Sequence, residues 1–288
     1  NWNSTSTWEG GVVPGINDNV VIRNSNTITL NSTASVNSIS LDGTINFNAG
    51  NNLTITTNIT FGNSATINVS SNNLQIGGNV TFSSNNHKIN WITGTITVSG
   101  NITYSNTTNG FNCTGAGYLI MNGTNKTFTL DPNNNAAIPQ FRLGSNSIII
   151  NANSRTLTVT NFDQNCYSLP VVSGGTLVRT NTSNPPFSGT LPTITSPTNQ
   201  CTGTPITFTK NSCVTGTCYW QTSATGTSTS NSGNYVTTNT NGTYKAYLRS
   251  LSGTCWSTAD SATAIISPSN VLSITQQPST NSVIVCQN

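Results

Sequence analysis

Electric charge is the scarcest property of this 288-residue sequence. Lys, Arg, Asp and Glu make up 5% of it, against about 25% in an average soluble domain. Nine basic and six acidic residues give a net charge of +3, and there is one histidine. Because nucleic-acid binding needs a dense basic surface, we predict no nucleic-acid partner. The few acids and the single histidine also leave little material for acid–base catalysis or a metal site, so we predict no cofactor.

Long apolar runs and strong helix formers are missing as well. No stretch approaches the ~20 apolar residues of a membrane-spanning helix, so we predict no transmembrane segment. Asn, Thr and Ser contribute 46, 51 and 36 residues, which is 133 of 288 or 46% of the chain. These residue types disfavour helix interiors. The composition therefore excludes helical folds and points to strands and turns.

Apolar residues alternate with Thr, Asn and Ser through most of the chain. Clear examples are residues 65–69, 95–98 and 155–159. Alternation over four to six residues predicts β-strands with one buried face. It also argues against the disorder that so polar a composition would otherwise suggest. We therefore predict an all-β protein.

A sequence repeat narrows the all-β prediction to one architecture. Residues 52–61 (NLTITTNITF) match residues 73–82 (NLQIGGNVTF) at an offset of 21, and residues 95–104 (TITVSGNITY) follow at an offset of 22. Three short strands per ~21–23 residues predict a three-sided parallel β-helix, a solenoid. We assign residues 1–190 to about eight such turns, with Asn side chains stacked at the corners. The alternative, a β-sandwich, does not require this repeat.

Two tryptophans precede the first strand of the predicted column. Because the open end of a solenoid exposes strand edges and apolar side chains, it needs a cap. We predict that Trp2 and Trp8 form this cap. Sugar stacking is the alternative role for these two rings.

A second unit follows a cluster of four prolines, which marks a linker. Residues 191–268 contain about seven short strands, and Trp220 lies among cysteines, a pattern typical of an Ig-like β-sandwich. Residues 269–288 repeat the start of this unit, because a similar Pro-containing stretch precedes Cys286 and Cys201. We predict that they form a linker and the first strand of a second Ig-like domain.

Seven cysteines in so uncharged a chain indicate an oxidising, extracellular setting, with buried free thiols as the alternative. Cys286 is expected to pair inside the domain that follows, and so to be unpaired in this fragment. Cys113 and Cys166 lie about two turns apart in the column. They are candidates for a disulfide if their Cα atoms come within about 7 Å.

Four further cysteines lie within the second unit, and three pairings of them are possible. We favour Cys213 with Cys218, which would close a tight loop. The same choice pairs Cys201 with Cys255, which would join an early strand to a late one.

The motifs of both units resemble those of one group of proteins. The pattern Trp-x5-Trp-x-Gly-Gly-Val-Val-Pro-x3-Asp-Asn-Val-Val-Ile at residues 2–22 resembles the start of β-helical domains in large secreted proteins of Bacteroidetes. Residues 219–229, 241–244 and 255–257 resemble Ig-like repeats of the same proteins. That group is exported by the type IX secretion system and includes very large repetitive adhesins of gliding motility. The resemblance covers most of the chain, and its motifs are architectural.

The resemblance implies a location and partners. It implies an extracellular, cell-surface protein associated with the outer membrane, with the type IX secretion machinery as a partner during export. Asp260-Ser261-Ala262 matches the short O-glycosylation signal of that phylum, which makes Ser261 a candidate modification site.

Carbohydrate chemistry is the enzymatic alternative for a β-helix. Glycoside hydrolysis needs two carboxylates about 5–9.5 Å apart. Asp18 with Asp42, or Asp131 with Asp163, could meet on adjacent turns, although three of the four also fit turn positions. A lyase would need a base beside basic groups, and the available arginines are loosely spaced without a matching acid. These arginines are Arg142, Arg155 and Arg179. We predict no catalytic residues.

The remaining candidates favour binding over catalysis. Trp91 is the best candidate for glycan stacking because its turn departs from the repeat, with core packing as the alternative. His87 stands alone, and the cysteines lack zinc-type spacing, so we predict no metal site.

We expect the N-terminal part of a long secreted cell-surface adhesin or gliding-motility surface protein that acts structurally and adhesively. It would contact surface glycans, other cell-surface proteins or copies of itself. The alternatives are a subunit of a self-assembling extracellular filament and a β-helical polysaccharide-degrading enzyme.

Overall fold

The computed structural model divides the chain into two compact units, Asn1–Pro186 and Phe187–Asn288. The first unit ends four residues before the predicted boundary at residue 190. The structure describes residues 1–83, 86–105, 110–187, 191–213, 217–233, 235–237 and 239–268.

The first unit contains 21 of the described strands, most of them three or four residues long. In chain order they are β1 (Asn19–Ile22), β2 (Thr27–Leu30), β3 (Ala34–Val36), β4 (Ser38–Leu41), β5 (Thr44–Phe47), β6 (Leu53–Ile55), β7 (Ile59–Phe61), β8 (Thr66–Ser70), β9 (Leu74–Ile76), β10 (Val80–Phe82), β11 (Lys88–Trp91), β12 (Ile96–Val98), β13 (Ile102–Tyr104), β14 (Phe111–Cys113), β15 (Leu119–Met121), β16 (Thr127–Thr129), β17 (Ala136–Leu143), β18 (Ile149–Asn151), β19 (Thr156–Asp163), β20 (Val171–Ser173) and β21 (Thr176–Ser183).

These strands form three parallel sheets that wind around one axis. Face A has the order β1-β4-β7-β10-β13-β16-β18-β20, face B has β2-β5-β8-β11-β14, and face C has β3-β6-β9-β12-β15-β17-β19-β21. On face A, Ile59 lies beside Val80 and Val80 beside Ile102, at separations of 21 and 22 residues. The predicted parallel β-solenoid of about eight turns is therefore confirmed, and the sandwich alternative is wrong for this unit.

The interior of the solenoid is a continuous apolar column. In most strands the buried positions alternate with exposed or half-buried ones, as the sequence pattern predicts. Phe61, Phe82, Tyr104 and Phe128 follow one another turn by turn, with ring centroids 4.7, 5.0 and 5.3 Å apart. Burial of each large apolar side chain stabilises the fold by roughly 1.5–3 kcal/mol. An isolated turn would lack the neighbouring turns that bury these side chains.

Asparagines at the corners connect successive turns through the backbone. The side-chain carbonyl of Asn58 accepts a hydrogen bond from the backbone N–H of Asn79 at 2.7 Å. Asn79 accepts in the same way from Asn101 at 2.8 Å, and Asn101 from Thr127 at 2.9 Å. The corner position of these asparagines is as predicted. Their bonds nevertheless run from side chain to backbone and not from amide to amide.

A ladder of side-chain amides does exist, but it lies on the strands of face B. Asn68 donates to Asn46 at 2.7 Å, Asn90 donates to Asn68 at 2.8 Å, and Asn112 donates to Asn90 at 2.9 Å. The four residues occupy equivalent outward positions in paired strands. Because parallel in-register strands repeat every ~4.8 Å, identical amides meet at hydrogen-bonding distance there.

The predicted N-terminal cap is present. Trp2 is buried in the core, and Trp8 is partly buried against it with the two rings 5.1 Å apart. The backbone N–H of Trp2 donates to the Thr29 carbonyl, and the Trp8 indole N–H donates to the Trp2 carbonyl. Within the described ranges the only helix is the 3-10 turn Thr5–Thr7, and none is long and apolar enough to cross a membrane.

The second unit consists of short, mainly antiparallel strands. They are β22 (Ile194–Thr195), β23 (Gln200–Cys201), β24 (Thr207–Lys210), β25 (Thr217–Gln221), β26 (Tyr235–Val236), β27 (Gly242–Ser252), β28 (Cys255–Trp256) and β29 (Asp260–Ser267). One sheet has the order β22-β24-β26, and the other β23-β29-β27-β25, with β28 also paired to β27. Trp220 lies in the core, with its ring 6.5 Å from Phe208 and 5.8 Å from Tyr235. The segment predicted to open another domain, residues 269–288, lies outside the described residues.

Candidate functional site

The first carboxylate pair considered for hydrolysis is separated along the strands. In the β1–β4 pairing, Asn19 lies beside Ser38 and Ile22 beside Leu41. Asp18 precedes this paired stretch and Asp42 follows it, so they stand about five residues apart, or about 16 Å along the strand direction. Asp18 instead accepts a 2.8 Å bond from the Gly15 N–H, as a turn residue does.

The second carboxylate pair is also far apart. Asp131 precedes β17, where its Oδ1 accepts the Asn133 N–H at 2.7 Å. Asp163 lies beside Arg142 near the other end of β17. The strand between them spans about 20 Å. Neither pair has the 5–9.5 Å separation that glycoside hydrolysis requires.

Asp163 and Arg142 form a fixed ion pair on face C. Arg142 Nε donates to Asp163 Oδ2 at 2.7 Å, and the carboxylate side chain is 3% exposed against 35% for the arginine. The other carboxylate oxygen accepts from the Asn165 backbone N–H and the Asn184 side chain, both at 2.9 Å. The Arg142 guanidinium also lies 4.3 Å from the centre of the Tyr118 ring. Three hydrogen bonds therefore fix Asp163, and Asp163 in turn positions Arg142 beside Tyr118.

The other two arginines do not join this cluster. Arg155 lies just before β19, and its Nε donates to the Pro132 carbonyl at 2.7 Å. Arg179, on β21, places its guanidinium 5.7 Å from the centre of the Phe162 ring. The three arginines thus have separate structural partners and do not surround one acid.

A cleft of about 400 Å³ lies beside the ion pair on face C. Its floor is a column of polar side chains from successive turns, because Gln140 lies beside Asn161 and Asn161 beside Asn181. Asn181 donates to Asn161 at 3.0 Å. Every side chain along the cleft is uncharged. The lining residues are Ala116, Tyr118, Gln140, Asn161, Phe162, Asn181, Thr182 and Ser183.

Sequence reasoning missed this cleft, although the repeat contains the signal for it. Tyr118, Gln140, Asn161 and Asn181 follow one another at 22, 21 and 20 residues, which are the separations of equivalent positions in adjacent turns. The clear copies of the repeat end at residue 104, and the later turns diverge from them. Aligning the later turns would have placed one aromatic and three amide side chains in a line.

The proposal that Trp91 stacks on glycans is wrong. Trp91 is 1% exposed and packs edge-on to Phe111, with ring centroids 6.3 Å apart. A register shift between Asn90 and Trp91 in the β8–β11 pairing is the irregularity that the sequence signals. Trp91 lies in the core at this shift. A depression of about 430 Å³ on face B is lined by the amides of that face, by Trp91 and by the half-exposed Ile92.

The cysteines of the solenoid are not bonded to each other. Cys113 has a free, buried thiol, which lies 3.0 Å from the Gly117 carbonyl oxygen, whereas Cys166 is disulfide-bonded. Cys113 ends β14 on face B, and Cys166 follows β19 on face C. The predicted Cys113–Cys166 bridge is therefore wrong, because a separation of two turns does not put both residues on one face. Burial raises the pKa of the Cys113 thiol.

The second unit contains the predicted Cys213–Cys218 disulfide, with Cα atoms 5.9 Å apart. Cys201 and Cys255 are each disulfide-bonded, and their mutual pairing stays a prediction. Cys286 lies outside the described residues. Ser261 is exposed on β29, and its backbone N–H donates to Asp260 Oδ1 at 2.9 Å, so its modification also stays a prediction.

His87 is buried among the aromatic side chains of the core. It is 1% exposed and stacks on Phe82 with ring centroids 4.8 Å apart. Burial lowers the pKa of His87, and a contact with the Gly62 backbone offsets this in part. Among the residues that the structure describes, no group of three His, Cys, Asp or Glu side chains could hold a metal ion.

Comparison with known families bears on the first unit. Residues 7–129 match the G8 domain. This domain is found in extracellular proteins, and the match runs from the cap to the end of β16. Neither a search of curated proteins nor a search of solved structures found a significant match. The G8 match and the disulfides together indicate an extracellular protein, and the β-solenoid is an extracellular structural module.

Proposed function

We propose that the chain is part of a long secreted cell-surface adhesin or gliding-motility surface protein, in which the solenoid acts as a rigid adhesive module. The observation that carries this proposal is the continuous apolar column, surrounded by three faces whose outward side chains are mostly uncharged and polar. Such a body presents a long, regular surface for contact. The function proposed is binding and spacing, without catalysis.

Three features support a non-catalytic role. The candidate carboxylate pairs are about 16 and 20 Å apart along the strands, beyond the range of hydrolytic pairs. Asp163 is already bonded to Arg142, Asn165 and Asn184. Asp131 is buried and bonded within its own turn. These carboxylates therefore have structural partners that a general acid or base would have to leave.

The wider setting follows the sequence resemblance. We assign the protein to the Bacteroidetes surface proteins that the type IX system exports, with a place at the outer membrane. We assign the second unit to the Ig-like repeats of such proteins, supported by its mainly antiparallel strands and its buried Trp220. The proposed partners are surface glycans, other cell-surface proteins and copies of the same chain.

Adhesion of protein-coated beads under flow tests the proposal. Beads that carry the purified chain would pass over surfaces coated with neutral polysaccharide, acidic polysaccharide or the chain itself, beside albumin-coated control beads. We expect retention above the control on at least one surface. Retention no greater than that of albumin on all three would contradict the proposal.

Electron microscopy separates the adhesin from a filament subunit. Discrete elongated particles would support a single-molecule adhesin. Regular helical fibres built from one repeating chain would favour the filament instead.

A further inference from the structure

The cleft on face C has the features of a carbohydrate subsite, and we propose that it binds a strand of neutral polysaccharide. This inference rests on the proposed adhesive function and gives it a location. Its core residues are Tyr118, Gln140, Asn161 and Asn181, one from each of four adjacent turns.

The shape of the cleft favours an extended ligand. The four residues lie along the solenoid axis in three steps of ~4.8 Å, so the row is about 14 Å long. Because each turn supplies one equivalent position, the spacing of the row is regular. A linear chain of sugar units can run along such a row, whereas a compact metabolite would contact part of it.

The amides provide hydrogen-bonding capacity toward hydroxyl groups. Each amide has one carbonyl acceptor and an NH₂ group with two donors. The bond from Asn181 to Asn161 uses one donor and one acceptor of this pair, at 3.0 Å. Asn161 keeps its NH₂ group and Asn181 its carbonyl for a ligand. Sugar hydroxyl groups both donate and accept hydrogen bonds. Neighbouring hydroxyls can therefore bond to a donor and an acceptor that lie side by side.

The aromatic end of the row is pre-organised. Tyr118 is half-buried and held under the Arg142 guanidinium at 4.3 Å, and Arg142 is fixed in turn by Asp163. A ring already held in place loses little conformational freedom when a ligand packs on it. The apolar C–H surface of a sugar ring is a suitable partner for an aromatic ring.

Charge decides between neutral and acidic glycans. The lining side chains are uncharged, and Arg142, which contacts the lining residue Tyr118, is paired with Asp163 at 2.7 Å. The exposed Arg179 guanidinium lies 5.7 Å from the centre of the ring of Phe162, another lining residue. An acidic glycan would gain attraction only from Arg179 at the edge of the cleft, and salt would screen that attraction. We therefore expect binding of a neutral glycan that does not change with salt, because screening weakens only interactions between net charges.

Affinity electrophoresis of the full chain tests the inference, with gels that contain galactomannan, xylan or laminarin as neutral probes and alginate as an acidic one. We expect retardation by at least one neutral gel, equally at low and high salt. Tyr118→Ala and Asn161→Ala should each weaken it about tenfold, the loss typical of a central contact. Asn90→Ala, which removes a matched amide on face B, should behave like the unmodified chain.

Three results in the gels would overturn the cleft assignment: no retardation by any neutral gel, retardation by alginate alone that disappears at high salt, or equal retardation of all variants. Unchanged thermal unfolding of each variant shows that a loss is local. The bead assay keeps the two proposals apart. If Tyr118→Ala beads adhere as well as the unmodified chain, the cleft assignment fails and adhesion stands. If retardation follows the cleft variants but no beads adhere, adhesion fails and the cleft stands.

Discussion

The two units of this chain are stabilised in different ways. The solenoid buries large side chains in one column that runs through all its turns, and its polar atoms bond from turn to turn. The buried core of the second unit, as far as it is described, centres on Phe208 and Trp220 and includes three alanines. That unit is also crosslinked by the Cys213–Cys218 disulfide. The contrast teaches that a nearly uncharged polar chain can build a large core by repetition, whereas the unit without this repeat has a smaller core and a disulfide within it.

The largest expected effect is the loss of a central column residue. Phe82→Ala removes a ring that contacts Phe61, His87, Tyr104 and Phe111. We expect the free energy of unfolding of the solenoid to fall by about 3–5 kcal/mol, measured by calorimetry.

We expect the two units to give separate unfolding transitions in calorimetry. Phe208→Ala in the second unit is the matched control and should lower only the unfolding temperature of that unit. Equal shifts of both transitions in both variants would break the distinction between the two units.

The corners of the solenoid should tolerate an added side-chain atom less well than the loops of the second unit. A Cβ atom on Gly100 would lie 2.3 Å from the Gly78 backbone, whereas nothing lies within 4 Å of one on Gly233. We expect Gly100→Ala to destabilise the solenoid by about 1–3 kcal/mol through overpacking. Chemical denaturation would measure this. Gly233→Ala is the control with little expected effect, and the reverse order would contradict the close stacking of the corners.

The disulfide should matter to one unit alone. Replacing both Cys213 and Cys218 by serine opens a loop closed over a sequence separation of 5. Chain-entropy arguments give a loss of about 2 kcal/mol. In calorimetry the unfolding temperature of the second unit should fall, while that of the solenoid should not change. A shift of the solenoid transition as well would show that the units are coupled.

The smallest expected effect depends on pH and belongs to the solenoid. The pKa of His87 is lowered in the folded state from 6.5, so the unfolded chain binds the proton more tightly. Stability contributed by neutral His87 is therefore complete above pH 6.5 and is lost as pH falls toward the folded pKa, by at most about 1.4 kcal/mol per pH unit. Urea unfolding between pH 7.5 and 5 would measure the slope. The slope should decrease in His87→Phe, and an unchanged slope would assign it to other groups.

The sequence predicted the solenoid well because its signal is repeated. Offsets of 21 and 22 residues between residues 52–61, 73–82 and 95–104 reappear as the register of paired strands. Trp2 is likewise where the cap argument places it. Such features are local, or are copied in every turn, so a single sequence is sufficient to reveal them.

Features that depend on one irregular position were not predictable in this way. Trp91 lies at a register shift, and alternation does not say to which side a residue turns there. The distance from Cys113 to Cys166 depends on which face each residue occupies, not on the number of turns between them. The face C cleft lies in the divergent turns, where Arg142 and Asp163 occupy a position that is uncharged in the earlier turns.

The most direct test of the central claim is to measure binding and turnover in one incubation. The full chain would be mixed with neutral polysaccharides, and both the bound fraction and the release of reducing ends would be followed over time. We predict saturable binding without the appearance of new reducing ends. Release of reducing ends that disappears in Asp131→Asn or Asp163→Asn would contradict the account and make the solenoid an enzyme.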